Sequence, residues 1–398
     1  MDISKKVKEI SPSLTLENSA KAKKMKSEGI SVVGFTAGEL DFDTPKYIKE
    51  GAQKAILAGF TKYTPASGTL SLRNAICDKL KKDNGLEYCA DQIVVSSGAK
   101  TSLYLALSTL INEGDEVIIP SPYWLTYPEL VGLVGGKSVF LDAKKENGYK
   151  ITSKELEEVI TEKTKCLILN TPCNPTGAVY KESELRAIAE VVERKGLYVI
   201  SDEIYEKLRY DGERNFSIAE VNSYMKEHTV IINGVSKTYS MTGWRIGFSA
   251  SSLPIAKAIS SMQSHVTGNA CSISQYASES ALTDRESSIF IENMVKTMEN
   301  RRNLMTNALN EIEGVSFAVP EGAFYVFLDV SAFYGKFFNG KKIDGSLSFA
   351  ELILDQGVAL IPGVAFGEDK CVRLSYAVSE KDIIEGVNRI KLFLSKLR

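Results

Sequence analysis

Lys165-Cys-Leu-Ile-Leu-Asn-Thr-Pro-Cys-Asn-Pro-Thr-Gly177 begins as an apolar run and ends in a turn set by two prolines and a glycine. The run has the length of a buried strand, and Pro and Gly close it. Residues 182–194 follow with helical periodicity, and 197–201 return as a second short apolar strand. A strand, a helix and another strand in that order form the unit that joins parallel strands.

Outward from this unit the alternation continues in both directions. Residues 92–96, 116–120, 138–141, 230–234 and 245–250 read as further strands. Residues 103–112, 127–134 and 255–264 carry helical periodicity. The pattern predicts an α/β fold with a mostly parallel seven-stranded sheet sandwiched by helices. Ligands of such sheets lie beyond the carboxyl ends of the strands. The unusual residues fall there: Ser97-Gly98-Ala99-Lys100, Asn174 to Gly177, Asp202 with Tyr205, and Ser236-Lys237. After residue 285 the texture changes. A long charged helix over 286–312 leads to strands at 315–319 and 324–330, a helix near 348–356, a strand at 372–377 and a closing helix from 380. We read a smaller α+β domain here and divide the chain into 1–45, 46–285 and 286–398.

Bulk properties narrow the function. The chain has 398 residues, 44% hydrophobic and 25% charged, with a net charge of −2 and no basic block. Nucleic acid is therefore not an expected partner, and small molecules are. No apolar run is long enough to span a bilayer, and the first ten residues do not read as a secretory or transit signal. Six scattered cysteines read as free thiols of a reducing cytoplasm. With two histidines and no paired Cys spacing, no metal site is expected, and proton transfer falls to lysine, tyrosine or a carboxylate.

The strongest local signal is Gly234-Val-Ser-Lys-Thr-Tyr-Ser-Met-Thr-Gly-Trp-Arg-Ile-Gly247. Lys237 ends a buried strand, where desolvation favours the neutral nucleophilic amine that a Schiff base with an aldehyde cofactor requires. Arg245 can return to the same pocket and clamp a phosphate. A plain strand–loop–strand with surface charges fits the spacing equally well. Asp202, at a strand end, either caps the next segment or pairs with a pyridinium nitrogen, with Tyr205 near the ring oxygen. Ser97-Gly98-Ala99 opens a helix after a strand and suits an anion. Lys100 opposes that helix dipole, so it is either a solvated lysine or the neighbour of an anion. Trp124 can stack on a flat ring or serve as core, and Asn174 can hold a ring hydroxyl and a carboxylate. Arg373 stands in an otherwise apolar strand and wants a fixed carboxylate.

Together these motifs resemble the fold-type I pyridoxal phosphate enzymes, specifically the class I aminotransferases in their bacterial aspartate aminotransferase branch. The resemblance runs along nearly the whole chain in order. It takes in Gly38-Glu-Leu-Asp-Phe-Asp-Thr-Pro45, Tyr63-Thr-Pro-Ala-Ser-Gly68, Ser-Gly-Ala-Lys, Asn-Pro-Thr-Gly, Ser-Asp-Glu-Ile-Tyr, the lysine segment, Pro320-Glu-Gly-Ala-Phe-Tyr325 and the Arg373 strand.

The resemblance implies roles for single residues. Lys237 becomes the Schiff-base lysine and proton shuttle. Asp202 holds the ring nitrogen of pyridoxal 5′-phosphate, Tyr205 and Asn174 its oxygen, and Trp124 stacks on the ring. Gly98, Ala99, Ser236 and Arg245 surround the phosphate, joined by Tyr63 of the neighbouring subunit of a homodimer. Arg373 binds the α-carboxylate, Gly38 lines the pocket, and the N-terminal segment packs with the small domain. Lys100 reaches the distal carboxylate of aspartate, assisted by Ser13 and Thr15.

The expected reaction is L-aspartate plus 2-oxoglutarate to oxaloacetate plus L-glutamate. The alternatives are an aromatic or prephenate aminotransferase, a pyridoxal phosphate β-lyase, and an effector-sensing transcription factor. Three positions depart from the usual pattern: Leu40 replaces a loop proline, Gly234 stands where animal relatives place serine, and Cys173 lies beside Asn174 as an expected spectator.

Overall fold

The computed structural model describes residues 3–8, 10 and 14–398, with the side chains of 5, 6 and 14–16 left aside. In chain order its strands are β1 (Val33–Gly34), β2 (Ile93–Ser96), β3 (Glu116–Ser121), β4 (Lys137–Asp142), β5 (Thr164–Asn170), β6 (Tyr198–Asp202), β7 (Thr229–Gly234) and β8 (Gly247–Ala250). They continue as β9 (Tyr325–Asp329), β10 (Phe337–Phe338), β11 (Lys341–Lys342), β12 (Val358–Ala359), β13 (Ile361–Pro362) and β14 (Cys371–Ser375).

The seven expected strands form one sheet in the order β2-β8-β7-β6-β5-β3-β4. Six run in one direction, and β8 runs against both its neighbours. The sheet is buried on both faces because neighbouring residues along each strand point to opposite sides. Ile168 of β5 packs with Leu103, Leu107 and Ile259 on one face. Leu167 and Leu169 pack with Leu185, Ile188 and Val192 on the other. Those last three lie on the helix Glu182–Lys195. Glu184 there accepts from the Lys181 N–H at 2.7 Å, and Gly196 ends the helix at φ +68°. Each buried aliphatic side chain contributes about 1.5–3 kcal/mol, which fixes the helix against the sheet.

Register lines up the chemistry. Asn170 ends β5 opposite Asp202, the last residue of β6. Gly234 ends β7 opposite Gly247, which also faces Ser96 at the end of β2. One edge of the sheet thus collects the turns that carry Asn174, Asp202, Lys237 and Gly98.

A second core surrounds the antiparallel sheet β13-β14-β9, with Met298, Met305 and Leu309 of the helix Glu286–Asn310 and Ile390, Phe393 and Leu394 of the helix Glu380–Ser395. β1 pairs in parallel with β12, while β10 and β11 form a hairpin. The strand expected at 315–319 does not form. Only Ser316 bridges, to Asp329; Val319 is exposed, and Pro320 has no N–H to extend the pairing. The strand expected from residue 245 starts at Gly247, because Arg245 takes a left-handed conformation at φ +55°.

Candidate active site

A cavity of about 320 Å³ opens at the carboxyl edge of the large sheet. Its wall includes Gly38, Ala99, Lys100, Trp124, Asn174, Asp202, Tyr205, Ser236, Lys237, Arg245 and Arg373. These are eleven residues that the sequence singles out, and the fold brings them together from opposite ends of the chain. Neither histidine lies on that wall.

Asp202 is almost fully buried at the cavity floor. Burial pushes its carboxyl up to about 6, against the pull of the Tyr127 hydroxyl, which donates to Oδ2 at 2.7 Å, the Ile204 N–H and the charge of Lys237. A carboxylate in this position is costly until a cation or a strong donor meets it. Tyr127 is a site residue that the sequence reading misses: it sits in a helix among apolar neighbours and looks like core. Its ring stands edge-on to Trp124 at 5.5 Å.

Lys237 faces the cavity, and its Nζ donates to the Gly38 carbonyl. Desolvation brings its ammonium down to about 8; Arg245 and Arg373 push the same way, while Glu39 and Asp202 pull against them. Beside it Gly98 starts the helix Ala99–Leu110 at φ +87°. A side chain on Gly98 would collide with the Arg245 guanidinium. The arginine therefore lies against the residue at which the helix starts, where an anion would meet both a guanidinium and helix N–H groups.

Arg373 is buried in β14 with no carboxylate at ion-pair distance among the described residues. Its Nη1 donates to Asn174 Oδ1 at 2.9 Å and its Nη2 to the Thr36 carbonyl at 3.1 Å, while Nε has no partner among the described residues. Tyr325 and Phe366 lie against its guanidinium at 4.3 and 5.1 Å. Asn174 is in turn fixed through its N–H by Asn170, whose amide also bonds the Asp202 carbonyl. Tyr205 and Tyr325 share a hydroxyl contact of 3.0 Å.

At the rim, Lys100 Nζ stands 5.0 Å over the Trp124 ring. Burial, and after it the charge of Arg245, lowers its pKa. Tyr63 does not reach this cavity; it is 98% exposed. Ser13 lies outside the described residues, and so does the side chain of Thr15. Leu40 is buried in the second core, so the loop is held by packing where a proline would stiffen it. At Gly234 a Cβ would stand 2.8 Å from the Ile246 carbonyl, so the close approach of β7 and β8 excludes serine without a shift. The Cys173 thiol is buried and its pKa raised by that burial, which makes it a poor nucleophile.

Residues 30–390 match the family model for aminotransferase class I and II. The chain belongs to the class I and II aminotransferases. This aminotransferase is 44% identical to an aspartate aminotransferase of Bacillus subtilis, with both chains covered in full. It is 43% identical to a probable aspartate/prephenate aminotransferase of Aquifex aeolicus over 99% of each chain. Among solved structures, the aspartate aminotransferase of Rhizobium meliloti superposes with a TM-score of 0.96 at 39% identity over both whole chains. That of Thermus thermophilus with maleate does so at 0.93 and 38%, covering 99% of this chain and 100% of the other. The family's cofactor is pyridoxal 5′-phosphate. Among the described residues, no helix of the aminotransferase is long and apolar enough to cross a membrane.

Proposed function

We propose that this aminotransferase moves the amino group of L-aspartate to 2-oxoglutarate, giving oxaloacetate and L-glutamate. The observation that carries the reading is Lys100. It is a cation at the positive end of a helix, beside Arg245, with no carboxylate at ion-pair distance among the described residues. Such a position is unfavourable until an anion occupies the rim. Arg373, buried and with no carboxylate partner among the described residues, supplies the second cation. A substrate with two carboxylates satisfies both, and the names of the relatives agree. The Aquifex relative's name favours prephenate as a second keto-acid partner.

The donor set fits pyridoxal 5′-phosphate. Gly98, Ala99, Ser236 and Arg245 would hold the phosphate, and the room left by a missing Cβ at Gly98 is what the guanidinium occupies. Trp124 would face the ring, the Asp202 carboxylate would hold the ring nitrogen, and Asn174 and Tyr205 would hold the ring oxygen. When bound, the cofactor supplies an electron sink for the carbon that loses its proton. Lys237 Nζ would hold the cofactor's aldehyde and move the proton at the substrate Cα; burial brings its pKa down to about 8, which raises the neutral fraction of the amine. Arg373 orients the α-carboxylate, with Gly38 closing the pocket above Lys237.

We further infer a homodimer in which Tyr63, too exposed to serve its own cavity, completes the partner's phosphate site. Residues 46–285 and 286–398 are taken as the large and small domains, with 1–45 packing on the latter. The unpaired thiols suit the cytoplasm.

The test is an absorbance spectrum of the purified protein before and after L-aspartate. A cofactor band near roughly 360–430 nm that moves to about 330 nm supports the reading. A band indifferent to aspartate but responsive to neutral or aromatic amino acids overturns the role of Lys100.

A further inference from the structure

Residues 38–44 form a strap across the loop that runs from Lys237 to Arg245. Four hydrogen bonds join them. Lys237 Nζ donates to the Gly38 carbonyl, and Thr242 Oγ1 donates to Glu39 Oε2 at 2.6 Å. Thr44 Oγ1 donates to the Ser240 carbonyl at 2.6 Å, and Trp244 Nε1 donates to Thr44 Oγ1 at 3.1 Å. The loop beneath is strained: Ser240 and Arg245 are non-glycine residues at φ +51° and +55°. Conformations of this kind persist only where their surroundings hold them.

Glu39 is the one charged acceptor among the four contacts. Thr242, which it holds, turns its own carbonyl to Arg245 Nη1 at 2.9 Å. Carboxylate, hydroxyl, carbonyl and guanidinium thus form one relay from the strap to the arginine over the helix start. A hydrogen bond to an ionised acceptor is stronger than a neutral one, so this contact outweighs the two that Thr44 makes.

We propose that Glu39 is a positioning residue which, through Thr242, holds Arg245 in the geometry that grips the cofactor phosphate. The inference rests on the reading of Gly98 and Arg245 as the phosphate site. It adds a residue that is absent from the cavity wall and to which the Gly38–Pro45 motif gives no role of its own, since an exposed glutamate in a loop is ordinarily solvated.

The experiment measures binding of inorganic phosphate and of pyridoxal phosphate to the cofactor-free protein. Glu39→Ala and Thr242→Val are each expected to weaken both about tenfold, the usual effect of losing one charge-assisted hydrogen bond. The double variant should be no weaker than either single one, because both break the same relay. Glu39→Gln and Thr242→Ser, which keep an acceptor and a hydroxyl, should recover most of the affinity. Arg245→Ala separates the two readings. If it weakens phosphate binding while Glu39→Ala does not, or if the two losses add in the double variant, the relay is overturned. If Arg245→Ala binds phosphate as the parent does, the phosphate site itself is misassigned and the inference falls with it.

Discussion

Tyr127 Oη donates to Asp202 Oδ2 across 2.7 Å, and both groups are buried in the cavity floor. The hydroxyl is the strongest of the influences that lower the Asp202 pKa, yet burial still lifts that carboxyl to about 6. The pair therefore sits at a balance that small changes tip. In the cofactor-free protein the folded carboxyl holds its proton more tightly than the unfolded one. The stabilisation from the neutral acid is complete below about pH 4 and is lost as pH rises through about 6.

Tyr127→Phe removes the hydroxyl and leaves the ring beside Trp124. It should move the Asp202 titration upward, and isotope-edited infrared spectroscopy of the aspartate carboxyls can follow it. Loss of one hydrogen bond to a charged group is expected to cost about 1.5–3 kcal/mol in the ionised form. An unchanged titration would separate Tyr127 from the electrostatics of Asp202.

Tyr127 also marks where the sequence stops being legible. The seven strands can be read because residues such as Leu167 to Leu169 are apolar without interruption and short runs of this kind end in Pro and Gly, as in a sheet covered on both faces. The strand-end residues Asn174, Asp202 and Lys237 can be read because polar groups at the mouth of such a sheet are unusual. Tyr127 and Thr242 carry no such signal; a tyrosine in an amphipathic helix and a threonine in a turn are common. Their importance comes from partners that are distant in sequence, Asp202 and Glu39. The segment 315–319 fails for a related reason. Its apolar residues suit a strand, but pairing depends on an edge that Ser316 alone reaches.

Lys237 should behave as the most reactive amine of the cofactor-free protein. With its folded pKa brought down to about 8, below the ordinary lysine value, the charged form is disfavoured in the fold. Stability from this group should therefore rise with pH between about 8 and 10.5, the range in which the unfolded chain binds more protons. Reductive methylation near pH 8, read by peptide mass spectrometry, should label Lys237 ahead of the surface lysines. Lys237→Ala should lose the cofactor's visible band and slow turnover by about 10³-fold or more.

Lys100→Met keeps a long apolar stem over Trp124 and deletes the charge. For L-aspartate, kcat/KM should fall about 10- to 100-fold, the worth of a hydrogen bond to a charged group. For alanine or phenylalanine it should hold or improve, because Arg245 then loses a repulsive neighbour. Equal losses for acidic and neutral donors would assign Lys100 to the scaffold and not to specificity.

Tyr63 offers a test that no single-site measurement provides. Its side chain is 98% exposed and absent from the cavity wall, so within one chain it has no work to do there. If it completes the partner's phosphate site, Tyr63→Ala and Lys237→Ala complement each other. In a mixed dimer, one cavity then draws Lys237 from the Tyr63→Ala chain and Tyr63 from the Lys237→Ala chain, and is intact. The other cavity carries both losses. Co-refolding the two variants should therefore restore activity above that of either alone, to at most one working site per mixed dimer. If Tyr63 serves its own chain or none, every cavity in the mixture is either as defective as before or affected by Lys237→Ala alone, and mixing restores nothing.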